Sequence, residues 1–206
     1  MSPRPGLSTA RIVDAGLEIV RRDGFAALSM RTVAHELDTS ATSLYRHVAH
    51  RDELVQEILE RIAEGLPIDV DGATPTDRLL TRLLAAHAYM RDHLWVVRLL
   101  TEGRDVARAA LRFSDACLAD LLASGLTPAA ALTAYRSLWN LVTGSLLNLP
   151  PDRPADAPPT SRQQIIASAD LATLPALARV LRDPAPVGDD LPVALTALVA
   201  GLVGDR

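Results

Sequence analysis

Apolar residues return at helical spacing along most of this 206-residue chain. Ile12, Ala15, Gly16, Ile19 and Val20 line one face of a first helix, expected over about residues 8–22 and closed before Gly24. Arg21 and Arg22 sit near its C-terminus, where positive charge suits the helix dipole. Val33, Ala34 and Leu37 mark the inner face of a second helix over 29–37, with Ser29 as its N-cap. Leu44 and Val48 are four residues apart and share one face of a third, short helix, for which Ser40 is the N-cap. Leu54, Ile58, Leu59 and Ile62 give a helix over 51–65 its inner face, and Gly65 and Pro67 end it. Pro67, Asp69, Asp71, Gly72 and Pro75 then make a linker, which divides the chain into residues 1–66 and 67–206.

The second part continues in the same period. Helices are expected over 75–92, capped by Thr74 or Thr76, then through Leu94–Leu100, over 104–123 and from Thr127-Pro128 to 148. Five prolines make 149–160 a loop, and helices over 161–182, broken near Pro175, and 190–203 finish the chain. Pro3, Arg4, Pro5 and Gly6 make residues 1–7 a loose arm. No alternating strand pattern and no internal repeat appears, so the fold class is all-α.

Composition adds bounds. With 49% hydrophobic and 22% charged residues, the chain has a globular character and a substantial core. The single cysteine, Cys117, excludes an internal disulfide and a cysteine-based zinc site. No signal-peptide apolar run and no 18-residue apolar stretch occurs, which predicts a cytoplasmic protein with no membrane partner. The net charge of −4 argues against a polyanionic partner until its distribution is read. Seven arginines face five acids over residues 1–51, against fourteen and twenty over the rest, so a modest basic face can meet phosphate.

Residues 38–48, Asp38-Thr39-Ser40-Ala41-Thr42-Ser43-Leu44-Tyr45-Arg46-His47-Val48, read as the turn and second helix of a helix-turn-helix. Small residues come first and longer polar ones follow, an order that suits a helix presenting its N-terminal end to base edges. Around this stretch stand the first-helix Ile12 and Ala15, Gly24-Phe25, Arg31-Thr32-Val33-Ala34, Leu44-Tyr45-Arg46-His47-Val48 and Arg51-Asp52-Glu53-Leu54. In order and spacing, residues 8–60 closely resemble the N-terminal domain of TetR-type transcriptional repressors. Three positions depart from that pattern. Asp38 replaces the usual turn glycine, and Asp tolerates a left-handed backbone better than most residues. Thr39 replaces an apolar residue, and Arg51 replaces a lysine, keeping the charge but altering phosphate geometry.

The resemblance implies an N-terminal three-helix helix-turn-helix DNA-binding domain and a C-terminal helical ligand-binding and dimerisation domain. It places Arg31 near a phosphate and a base edge, and Ala41, Thr42 and Ser43, behind the Ser40 cap, at the groove floor. Tyr45, with Arg46 and His47 on the same outer faces, would meet phosphate or base edges, and Arg51 would clamp a phosphate. His93-Leu94-Trp95 and the closing Leu174-Pro175-Ala176-Leu177-Ala178 and Leu195–Leu202 stretches are similar to the tetracycline-repressor subgroup, which implies a homodimer. The residues agree: 138–149 and 191–203 are more apolar than a one-sided helix needs, and Ala197, Ala200 and Gly201 allow close approach.

Five of the seven aromatics lie in the second part. Tyr135, Trp139 and Thr143 share a helix face; His87, Met90 and Arg91 cluster on another helix; Trp95 stands apart; and Phe113 and Cys117 are four apart on a third. These are the ligand-binding candidates, for a mostly apolar cavity with a few polar groups. Glycine-rich phosphate loops, His-Glu-x-x-His, Gly-x-Ser-x-Gly and paired acids are all missing, so no catalytic residue and no cofactor is assigned. Two of His35, His47 and His50 fall where DNA contacts belong, so no metal site is assigned either. The expected function is a ligand-responsive, sequence-specific regulator of transcription, a repressor that a small-molecule inducer releases from an inverted-repeat operator in double-stranded DNA. The alternative is a DNA-binding regulator controlled by a partner protein.

Overall fold

Eleven α-helices and three 3-10 turns make up the described residues of the computed structural model, which are 6–101, 107–149, 157–182 and 190–204. The arm at residues 1–5, the expected helix start at 104–106 and residues 150–156 of the proline loop lie outside them. Every regular element described is helical. Among the described residues no helix is long and apolar enough to cross a membrane.

The N-terminal helices are α1 (Thr9–Asp23), α2 (Met30–Glu36), α3 (Ala41–Leu44) and α4 (Arg51–Glu64). All five periodic residues of α1 are buried, and Val13 joins them. At Gly16, α1 lies close to α4: a Cβ there would stand 2.8 Å from the Ile58 methyl. Arg61 of α4 reaches Asp14 of α1 at 2.8 Å, and Arg22 holds Glu36 at 2.9 Å, tying α1 to α2. The remaining helices are α5 (Pro75–Met90), α6 (Leu94–Thr101), α7 (Ala110–Ala123), α8 (Pro128–Leu147), α9 (Ser161–Ser168), α10 (Pro175–Arg182) and α11 (Leu191–Val203). Helices α5, α7, α8 and α11 pack into the second core, around Leu83, Phe113, Cys117, Leu121, Leu138 and Leu195.

Three expected helices differ from the observed ones. The helix expected over 104–123 begins at Ala110, because the Glu60 carboxylate of α4 takes up the Arg108 and Ala109 N–H groups at 2.7 and 2.9 Å and fixes the start from outside. The helix expected over 161–182 is two helices. Asp170 accepts a bond from Ala172 N–H and turns the chain, and Leu174 is held out of the α-region by the proline after it. The third helix has one regular turn, after which the chain tightens as His47 N–H bonds Leu44 C=O at 2.8 Å.

Helix α4 is pinned to the second core at its far end as well. Tyr89 of α5 donates its hydroxyl to Ile62 C=O at 2.9 Å, and its ring lies where a side chain on residue 65 would be. A Cβ on Gly65 would collide with that hydroxyl. Gly65→Ala is expected to destabilise the protein by about 1–3 kcal/mol through overpacking, read as a lower urea midpoint. An unchanged midpoint would show that Tyr89 moves aside freely.

Candidate nucleic-acid interface and ligand cavity

The turn between α2 and α3 closes with two bonds. Asp38 N–H donates to His35 C=O at 3.1 Å and Thr39 N–H to Ala34 C=O at 2.9 Å, with Asp38 at φ 50°. This is the left-handed turn that glycine usually makes, and Asp38 supplies it at small cost. Ser29 and Ser40 cap α2 and α3 by accepting from Thr32 and Ser43 N–H at 3.1 and 3.2 Å. Leu44 and Val48 are fully buried beneath α3. That orientation leaves Thr42, Tyr45, Arg46 and His47 exposed on the outer side, with Ser40 beside them and Ala41 and Ser43 half-buried. Tyr45, at 52% exposure, is the large apolar side chain left outside on this element. Arg31 is exposed on α2. The residues read from sequence as DNA contacts thus lie on the small helix and its neighbour, facing solvent.

Arg51 differs from the rest. It is half-buried, its Nε donates to Leu28 C=O at 2.8 Å, and its guanidinium carbon lies 5.0 Å from the centre of the Phe25 ring. Its direction is therefore set within the N-terminal helices α1–α4, the head of the molecule as against the body formed by α5–α11, and one face of the group is taken. His50 caps α4 through Nδ1, which accepts from Glu53 N–H at 3.1 Å. Sequence reasoning missed the roles of Phe25 beneath Arg51 and of His50 as a cap; Gly-aromatic after the first helix is visible, but the partners of Phe25 lie far along the chain.

A cavity of about 60 Å³ opens between α4, α5, α6, α7 and α8. Leu59, Ile62, Ala63, Leu66, Met90, Val96, Leu100, Ala107, Ala110 and Trp139 line it, and no charged side chain is among them. Two of the nine sequence candidates, Met90 and Trp139, are in this wall. Phe113 stands directly behind it, with its ring 5.5 Å from that of Trp139. The other six lie elsewhere. Cys117 is fully buried in the core, and burial pushes its thiol up to about 12. Tyr135 pairs its hydroxyl with Ser114 at 2.7 Å, and Thr143 returns its own to Trp139 C=O at 2.9 Å. His87 is buried 3.3 Å from the Ser145 hydroxyl, Arg91 is exposed on a turn, and Trp95 stacks on Phe25. The lining residues that the sequence did not single out are aliphatic and read by periodicity as ordinary core. One signal existed: Leu94–Leu100 is apolar all round except Arg98, more than one packed face requires.

The cavity and the head share α4. Its first residue is Arg51, and its last two turns supply Leu59, Ile62 and Ala63 to the cavity wall. The same stretch carries Glu60. Partial burial works against ionisation of that carboxyl, but the N–H groups of Ala109 and Arg108 and the Gln56 amide outweigh it and hold the group below its ordinary range. Helix α4 therefore enters the second core with an ionised anchor on the two residues just before α7.

One buried arginine and one half-buried arginine complete the C-terminal part. Arg82 and Arg78 of α5 both hold Asp120 of α7, Arg78 through Nε at 3.0 Å, and Arg82 also donates to the linker carbonyl of Ile68 at 3.2 Å. On the outside, α11 buries Leu191, Leu195 and Val199 and exposes Val193, Thr196, Ala197, Ala200 and Gly201. A side chain on Gly144 of α8 or Gly201 of α11 would meet nothing within 4 Å.

Known proteins resemble both halves of this arrangement. The profile of bacterial regulatory proteins of the tetR family matches residues 12–58, and that of the tetracyclin repressor-like C-terminal domain matches residues 71–202. An HTH-type transcriptional regulator of Saccharopolyspora erythraea is 31% identical over 144 residues, 69% of this chain and 61% of that protein. The HTH-type transcriptional repressor DrrR1 of Streptomyces coeruleorubidus is 28% identical over 145 residues, 69% of this chain and 54% of its own length. The matched stretches thus span little more than half the length of these curated relatives. Among solved structures, the TetR family protein ActR of Streptomyces coelicolor in complex with actinorhodin shares the fold, with a TM-score of 0.74, 23% identity and coverage of 96% of this chain and 97% of that one.

Proposed function

The chain belongs to the TetR family of bacterial regulatory proteins, and from that membership we propose that it is a ligand-responsive, sequence-specific DNA-binding regulator. Residues 1–66 read the DNA and residues 67–206 bind the ligand and dimerise. The carrying observation is that a single helix, α4, both begins at the head with Arg51 and ends in the cavity wall with Ile62 and Ala63. The exposed small-residue face of α11, beside α8, supports a twofold dimer. Two heads then meet two half-sites of an inverted repeat about one helical turn apart.

The wall chemistry selects a neutral, predominantly apolar ligand, since a charged group would lose its water without a partner there. Size supplies the coupling. A drug-sized ligand needs a site of roughly 300–1,000 Å³, far above the present 60 Å³. Such a ligand enters only by displacing the wall, and α4 and α6 form much of it. It therefore prefers the displaced conformation, and displacement of α4 re-aims the heads. DrrR1 carries the name of a repressor, and repression relieved by the ligand is the reading we adopt.

The test starts with selection of DNA from a random pool by the purified chain. An inverted repeat with a steep salt dependence is expected. Neutral apolar compounds are then screened by tryptophan fluorescence in the Trp95→Phe variant, which leaves Trp139 as the single emitter, and those that bind are expected to weaken affinity for the selected DNA by tenfold or more, on the order of 1.4 kcal/mol of coupling. A compound that binds the cavity equally well with and without DNA would refute ligand control.

A further inference from the structure

Trp95, on α6, stacks on Phe25 of the head with ring centres 4.9 Å apart and planes only 15° from parallel. Phe25 in turn carries the Arg51 guanidinium at 5.0 Å, and Arg51 Nε is fixed on Leu28 C=O at 2.8 Å. Phe25 opens the 3-10 turn Phe25–Ala27, and Ala27 C=O accepts the hydroxyl of Thr32, which belongs to the capping box at the start of α2. One aromatic ring thus contacts both Trp95 and the Arg51 guanidinium, and the turn that it opens is bonded to the start of α2. Trp95 is also the immediate neighbour of Val96, which lines the cavity, and Leu100 follows on the same helix. This contact runs from cavity to head through α6 and does not pass along α4.

We propose that Trp95 is a positioning residue for DNA binding: through Phe25 it holds Arg51 and the start of α2 in place for DNA, and it transmits movement of the α6 cavity wall to them. The proposal rests on the DNA-binding reading given above. Its chemistry is specific. A flat ring stacked near parallel fixes Phe25 laterally, and a fixed Phe25 face holds the guanidinium by cation–π attraction while Leu28 C=O sets its depth. Loss of the Trp95 ring frees Phe25, and Arg51 then samples directions that miss the phosphate.

The experiment uses the full chain and the DNA selected from the random pool, with affinity followed against salt. Arg51→Ala is expected to lower affinity on all sequences alike and to reduce the salt slope by about one phosphate. Trp95→Ala is expected to do the same, with a loss of roughly three- to tenfold, the scale of one such aromatic contact. The double variant Trp95→Ala/Arg51→Ala should be no weaker than Arg51→Ala alone, because both remove one interaction. Trp95→Phe, which keeps a ring, should restore affinity and slope. Phe25→Leu, which keeps apolar volume and removes the stack, should match Trp95→Ala. Multiplying losses in the double variant, or an unchanged salt slope in Trp95→Ala, would overturn the proposal while wild-type binding stays intact. A wild-type chain that binds no duplex even at low salt would overturn the DNA-binding reading, and this proposal with it.

Discussion

Asp120→Ala is expected to cost about 3–5 kcal/mol of folding stability, the scale for removing one partner of a buried ion pair. Asp120 and Arg82 are each 6% exposed at the side chain, and Arg78 approaches the same carboxylate at 2.9 Å. Without Asp120, two guanidinium groups face each other and one of them is fully enclosed. Arg82 would keep its bonds to Ile68 and Ala116 carbonyls, which satisfy hydrogens but not charge. The loss should appear as a lower urea midpoint at unchanged slope, and Asp120→Asn should fall between wild type and alanine. A cost below about 1 kcal/mol would mean that water reaches the cluster and screens it. Because Arg82 also holds the linker at Ile68, the alanine variant should loosen the junction between head and body.

Leu44→Ala is expected to remove DNA binding more completely than any exposed substitution on α3. The helix has one regular turn, and isolated helices shorter than about 12–15 residues do not persist in water. Its conformation depends on the Ser40 cap and on Leu44 and Val48, which are 0% and 1% exposed. Truncating Leu44 should cost about 2–5 kcal/mol at that site. Affinity for the selected DNA should fall by about a hundredfold or more, while Arg46→Ala should cost far less. Faster hydrogen exchange at residues 43–48 would place the damage in the recognition element. Affinity within about threefold of wild type would show that α3 is held by something other than these two anchors.

What the sequence made legible was local. Ser29, Ser40 and Asp38 act on residues within five positions, and Leu44 and Val48 share a face at a spacing of four, so propensity and spacing mark the caps, the left-handed turn and the buried face. Positions whose partners are distant in the chain were not legible. Glu60 meets Ala109 across 49 residues, and Arg82 meets Asp120 across 38. The aromatic residues read in sequence as ligand contacts, yet Tyr135 pairs its hydroxyl with Ser114, and Trp95 stacks its ring on Phe25. The cavity wall is aliphatic, and an aliphatic wall has the same pattern in sequence as a filled core. Only the relative placement of α4, α6 and α7 distinguishes the two.

Cys117 has a practical consequence. Its thiol is fully buried, and with its pKa pushed up to about 12 it holds almost no thiolate near neutral pH. The native chain is therefore expected to react very little with maleimide and methanethiosulfonate reagents. A cysteine introduced at an exposed head position, such as His35→Cys, becomes the single labelled site of each subunit. In the proposed dimer, two spin labels would then read the spacing between the two α3 elements directly in solution, with and without DNA or an apolar ligand, as a distance distribution.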